Sequence, residues 1–481
     1  MSLPKPGVKT GTPWRFPRPK THRLENGLTV DSFDLPGQRI VTFTVLVDAP
    51  LTSEPADLEG VASLAMHTCD EGSRTHPGVK LTDALEAYGA AVTGAGARLD
   101  GASLTVEVPA SHLLDVMPLI GELVAEPAFA KADVARLVDD RLLSIATGEA
   151  SPPICATKAA YACFGNHRLA RPVGGSAKTV AKLRPRHLKA WYGAAVRPNR
   201  ARLLLAGELP EGTDAAIDAA FGDWRPSHEF AELASTAETL PPAGRRVVIV
   251  DRPNAEQVSL RLATLTPSRD DPDWPALQVA NAVVGGMFGS RLNLVLREER
   301  GLTYGANSGL AASRNQAVYI AQAECGLDAA AEAAAISLKL LDLSANPITD
   351  KEVSDAVAYI SGATPLRLDT AEAIAAQATE FAFSGLETNW FDDYMAALAK
   401  VTPNQATAAF CRHIRLDNLV VALAGPAELL APQLAKAGLA AEVVASTSEI
   451  TWRPSRPLGS SSTAPCRSCL ASSPASKDAL R

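Results

Sequence analysis

Residues 60–67 read Gly-Val-Ala-Ser-Leu-Ala-Met-His, an apolar helical pattern that ends on an imidazole. Two His four apart on one helical face, with a Glu directly before the second, make the frame H-x-x-E-H: two zinc ligands and a carboxylate that works on metal-bound water. Here the frame holds Ser63 and Met66 and keeps only His67. Catalytic zinc takes about three protein ligands, so one imidazole does not hold it. A thioether at Met66 cannot deprotonate water. Ser63 has no base except His67 at i+4, which gives a serine-hydrolase reading little support. Asp70 and Glu71 follow at a spacing that does not rebuild a zinc triad, and they read as a solvated helix end.

A second chemical set lies in the other half of the chain. Arg297 offers a planar cation with five donors, and Tyr304, seven residues on, a phenolic donor. The plain alternative pairs Arg297 with Glu298 or Glu299 and packs Tyr304 on a strand. Gly285, Gly286 and Gly289 precede this set without the Lys-Ser/Thr pair of a phosphate loop, so they serve packing and turns. Cys466 and Cys469 form a C-x-x-C pair in a low-complexity tail with no second pair, which reads as incidental.

The rest of the chain must position these groups. Its 481 residues, 47% hydrophobic, suffice for about two to four domains. A net charge of −7 with no basic stripe argues against nucleic acid as a partner. No uninterrupted apolar stretch of about 18 residues is present, so no membrane span is expected. Met1 to Arg23 is rich in Pro and basic residues and lacks the apolar core of a signal peptide. Seven scattered Cys fit a reduced compartment. Together these predict a cytoplasmic protein.

The chain also repeats itself. Tyr192 to Gly207 aligns without gaps with Phe410 to Gly425, with Arg197 facing Arg415 and Leu-Ala-Gly closing both. Upstream, Glu126-Pro127 to Val134 echoes Asn346-Pro347 to Val353, and the spans Pro127–Arg197 and Pro347–Arg415 are nearly equal. Matching landmarks at matching spacing predict two homologous domains. Each opens with a partly alternating strand (39–47; 257–263), then a helix (58–67; 274–284), then antiparallel strands (102–108; 317–323) and long Ala/Leu helices. The pattern predicts an α+β fold of two homologous domains, each a mainly antiparallel sheet covered by helices on one face, the two facing each other as a half-chamber. Expected boundaries are an N-terminal arm at 1–22, a first domain at 23–225, a linker at 226–244, a second domain at 245–454 and a disordered tail at 455–481.

The chain resembles the insulinase-like, pitrilysin-type metallopeptidases over about residues 20 to 450. Besides the helix at Gly60, the resemblance rests on Glu25-Asn26-Gly27-Leu28, on Gly165-Asn-His-Arg-Leu-Ala-Arg-Pro172, and on Gly285 to Leu292 leading to Leu296-Arg-Glu-Glu-Arg-Gly-Leu-Thr-Tyr304. The resemblance places the two His positions at Ser63 and His67, the catalytic Glu at Met66 and the third ligand near Ser144, so the metal site is degenerate. It implies that Arg297 and Tyr304 bind the scissile peptide of a substrate whose zinc lies on another subunit. His167 and Arg171 read as structural.

The resulting expectation is a catalytically silent subunit of a heterodimeric zinc peptidase. The chain itself would carry no cofactor. An insulinase-like partner with intact H-x-x-E-H would carry the zinc, and a peptide would add as a strand near Val92 to Ser103. That stretch is Gly-rich and departs from the more polar, aromatic pattern of the family. A scaffold subunit, such as the core proteins of a respiratory complex, is the rival reading. A third, an enzyme with an unrelated site of its own, has no triad behind it.

Overall fold

A computed structural model describes residues 14–225 and 244–450. Nearly all of the expected linker, and the tail with Cys466 and Cys469, lie outside the described residues. Two six-stranded sheets organise the rest. The first is built from β1 (Lys20–Arg23), β2 (Thr29–Asp34), β3 (Ile40–Val47), β4 (Ala91–Arg98), β5 (Gly101–Pro109) and β6 (Ala201–Gly207). The second uses β7 (Arg246–Asp251), β8 (Gln257–Thr266), β9 (Thr303–Ala312), β10 (Ala317–Gly326), β11 (Val420–Gly425) and β12 (Glu442–Val444).

The strand orders β1-β2-β6-β3-β5-β4 and β12-β7-β11-β8-β10-β9 are the same arrangement with one outer strand exchanged. Registers repeat as well. Asp34 lies opposite Gly207 and Asp251 opposite Gly425, while Thr42 meets Ala206 and Ser259 meets Ala424. The duplication legible in the sequence is therefore a duplication of topology. Most pairings are antiparallel; β2–β6, β7–β11 and β7–β12 run parallel.

Each sheet is covered on both faces, where alternation predicted one. In β3 every residue from Val41 to Val47 is buried, Thr42 and Thr44 included. The reason is an exchange of helices between the halves. Val30, Phe43, Leu203 and Leu205 face the first half's own helices. Phe33, Leu46, Leu204 and Ala206 on the opposite face are covered by the helices Ala371–Ser384 and Trp390–Leu398 of the second half. Phe16 joins them edge-on to Phe381 at 5.2 Å. In return, the helix Pro152–Ala162 lays Cys155, Ala156, Ala159 and Ala160 against Val248, Val250, Ala422 and Ala424. Small side chains let that helix approach the sheet closely.

Polar contacts reinforce the exchange at the β4–β5 hairpin. Arg98 pairs with Glu380 at 2.6 Å, and Glu380 also takes Arg269. The Arg314 amide donates to Asp100 at 3.0 Å while its guanidinium pairs with Asp48 at 2.9 Å. The run Trp274–Glu299 is long and apolar enough to cross a membrane by length and composition, but most of it is buried in the second half's core.

Candidate functional site

The motif helix spans Val61–His67 and is held from its N-terminus. Gly60 precedes it at φ +98°, a left-handed conformation that suits glycine. A Cβ at Gly60 would lie 2.8 Å from the Gly174 carbonyl oxygen. Beneath this turn Glu54 and Arg168 form an ion pair at 2.9 Å, with side chains 0% and 1% exposed. Glu54 also accepts the amides of Gly60 at 3.1 Å and Ala62 at 3.0 Å, so one carboxylate satisfies two of the helix's orphan donors. Burial pushes the Glu54 carboxyl up, and the Ala62 amide, Arg168 and the Gly60 amide pull it back. Arg171 pairs with Glu59 at 2.7 Å. Buried His167 accepts the Leu169 amide at Nδ1 and meets Gln316 of the second half at Nε2. Both residues thus serve the architecture.

Along the helix, the degenerate positions diverge. Met66 is a core residue, 1% exposed. Ser63 is half-buried and His67 is exposed. The His67 Nε2 lies near β4: a Cβ placed on Gly96 would stand 3.7 Å from it. Desolvation lowers the pKa of His67; Asp70 opposes this and the charge of Arg141 adds to it. Ser144 is exposed on the helix Lys131–Ala150. One turn earlier on the same face, Arg141 is half-buried and donates from Nε to the Gly174 carbonyl at 3.0 Å. These positions offer one imidazole and a guanidinium, which is not a zinc ligand set. Arg141 was not singled out in the sequence; the available signal was a cation three residues before Ser144 on one helical face. Asp70 and Glu71 are half-buried and not a solvated end: burial raises the Asp70 pKa, and Glu71 pairs with Arg136 at 2.5 Å.

Arg297 and Tyr304 sit on the other sheet. The helix Trp274–Asn281 continues as a widened π-turn over Ala282–Gly286, and a second π-turn, Leu294–Glu299, carries Arg297. Such turns are rare and are found disproportionately at functional sites. Gly285 is required there: a Cβ would fall 2.3 Å from the Ser308 Oγ on β9. Asn293 joins the two turns to the strand, donating to the Phe288 carbonyl at 2.8 Å and accepting the Ala306 amide at 3.3 Å. The Arg297 guanidinium pairs with Glu298 at 3.3 Å and lies 5.2 Å from the Phe288 ring centre. Tyr304, the second residue of edge strand β9, is 91% exposed, and Phe288 is 70% exposed. The surface pair with Glu298 foreseen in the plain alternative is present, but Tyr304 packs no core.

Among the described residues, one cluster of three metal-type ligands exists, Asp271, Asp273 and His413. Its Asp273 is already engaged by Arg412 and by His413 at 2.8 Å.

Residues 30–176 match Insulinase (Peptidase family M16), and residues 182–360 match the Peptidase M16 inactive domain. An uncharacterized zinc protease of Streptomyces coelicolor is 26% identical over 396 residues, spanning 80% of this chain and 85% of that one. A peptidase M16 inactive domain structure from Pseudomonas fluorescens aligns with a TM-score of 0.76 at 25% identity, covering 85% of this chain and 98% of that one. A Helicobacter pylori protease shares the fold with a TM-score of 0.80 at 15% identity, over 85% and 100% of the two chains. The chain belongs to the insulinase-like peptidase family M16.

Proposed function

We propose that this chain is the non-catalytic, substrate-binding subunit of a two-chain zinc peptidase. A partner of the same family supplies H-x-x-E-H, the ligand Glu and the zinc. This chain holds no zinc and contributes Arg297, Tyr304 and half of a closed chamber. The observation that carries the reading is the contrast between the two sheets. In the first half, the metal positions hold Ser63, Met66 and Ser144. At the start of β9, a phenol stands 91% exposed, seven residues after the guanidinium of Arg297. An exposed aromatic donor on a strand edge buries nothing within the chain, which fits a surface that another molecule completes.

Substrate would bind in extended form, adding a strand to a sheet edge by main-chain hydrogen bonds. β4 is such an edge, and its exposed Thr93 and Gly94 leave the backbone accessible. Arg297 would direct its fork at the scissile carbonyl, with Tyr304 donating to the same oxygen as charge develops on it in a water-poor site. The chemistry at the bound water belongs to the partner.

Elemental analysis and light scattering test the reading. The isolated chain should carry no stoichiometric zinc and cleave no peptide. Mixed with an H-x-x-E-H relative from the same source at micromolar concentration, it should form a new species on size-exclusion chromatography. One tightly held zinc per chain, or failure to associate, would sink it.

A further inference from the structure

Among the described residues Arg141 is a cation without a counter-ion. Its side chain is half-buried, and desolvation lowers its pKa with no acid opposing. Its one hydrogen bond runs from Nε to the Gly174 carbonyl oxygen at 3.0 Å. Among the described residues no carboxylate stands within ion-pair distance of it. The guanidinium lies flat on Gly174, where a Cβ would meet its Nη2 at 2.3 Å. The loop carrying Gly174 in turn packs against Gly60 at the start of the motif helix. Arg141 is therefore held in place beside the degenerate frame, with four of five N–H donors uncommitted. Withdrawing a cation from water without a partner costs stability, so the arrangement fits a ligand that supplies the negative charge.

We propose that His67 and Arg141 form a carboxylate-binding site beside β4, which holds an anionic end or side chain of a peptide lying along that edge. The inference rests on the peptide-binding role proposed above and names what that half of the protein selects. Three features converge on it. The fork of Arg141 matches a carboxylate in two parallel hydrogen bonds. The His67 Nε2 faces β4 at Gly96, where the lack of a side chain leaves room beside the strand. The edge itself is open, so an added strand runs past His67, which the charge of Arg141 reaches. Asp70 is the acid whose charge reaches His67; it is not in contact with Arg141. The geometry replaces a dication and its ligands with a fixed monocation, which repels zinc and attracts an anion.

The test uses the full isolated chain and fluorescein-labelled extended peptides read by fluorescence anisotropy. One pair differs only in a free or amidated C-terminus, and a second only in an internal Glu or Gln. The carboxylate member of at least one pair should bind roughly 10- to 100-fold more tightly than its neutral twin. Whichever pair shows the difference identifies the source of the carboxylate. Arg141→Gln, which keeps a donor for the Gly174 carbonyl, should erase that preference. Arg141→Lys should restore part of it, since a point charge replaces the fork. His67→Ala, at an exposed position, should reduce the preference without affecting the fold. Equal affinity within both pairs, absence of binding by all four peptides, or an unchanged preference in Arg141→Gln would overturn the inference. Assembly with a zinc-bearing partner does not depend on these variants, so it separately reports the fate of the broader reading.

Discussion

Replacing Arg168 by Met should be among the most damaging single changes in the first half. Its guanidinium and the Glu54 carboxylate meet at 2.9 Å with side chains 1% and 0% exposed. Glu54 also receives the Gly60 and Ala62 amides, so it both balances a buried cation and caps the motif helix. Arg168→Met strands a carboxylate in a dry site with two amide donors, at a cost of about 3–5 kcal/mol. Glu54→Gln keeps an oxygen for the amides but removes the closest counter-charge of Arg168, with the Glu59 carboxylate farther off at 3.9 Å; a loss of about 3 kcal/mol is expected. The double variant removes both charges and should cost less than the sum of the singles by about 2 kcal/mol or more. Against a typical stability of about 5–15 kcal/mol, each single loss is large. Urea unfolding gives the three free energies, and hydrogen exchange at the amides of Leu64 to Thr68 reports the helix. A loss below about 1 kcal/mol for Arg168→Met, or strictly additive singles, would refute the reasoning.

Phe381→Ala should cost about 3–5 kcal/mol and, because this residue of the second half seals the first half's sheet, calorimetry should show one lowered transition; loss of stability in one half alone would contradict the exchange of helices. Glu352 is held at about 2 from an ordinary 4.5, chiefly by Arg291, so the stability it adds is full above pH 4.5 and lost as pH falls toward 2. With solvent screening this amounts to about 1–2 kcal/mol, and Glu352→Gln should flatten that part of an acid-unfolding curve. Gly285→Ala forces a Cβ toward the Ser308 Oγ and should destabilise by about 1–3 kcal/mol, measured by urea unfolding.

The duplicated topology was legible because both copies keep the same landmarks in the same order: the strand closing on Leu-Ala-Gly and the helix after Pro127 or Pro347. The alternation of Val41 to Val47 located β3 but suggested one covered face. Thr42 and Thr44 do not announce burial, and the helix that covers them lies more than 300 residues away in the sequence. The degenerate frame was legible from residue types alone. Arg141 was not, because an Arg on a long helix is ordinarily solvated; only its approach to Gly174 shows it to be desolvated and unpaired. The exposure of Tyr304 was equally hidden, since a Tyr at a strand start is as readily a packing residue. The widened turn Ala282–Gly286 sets Gly285 close against β9, a tertiary contact with no local signature.

The most direct measurement of the central claim is peptide turnover by the assembled two-chain complex with Arg297→Ala or Tyr304→Phe in this subunit. Light scattering should show both complexes intact, because Tyr304 and the Arg297 side chain are not in the core. Loss of a donor to the developing oxyanion should lower kcat by about 100-fold or more. Loss of a group that orients the peptide should raise KM instead. Either outcome places the active site across two chains, with Arg297→Lys failing to restore the fork's two-point contact. Wild-type kcat and KM in both variants, with assembly confirmed, would contradict the account.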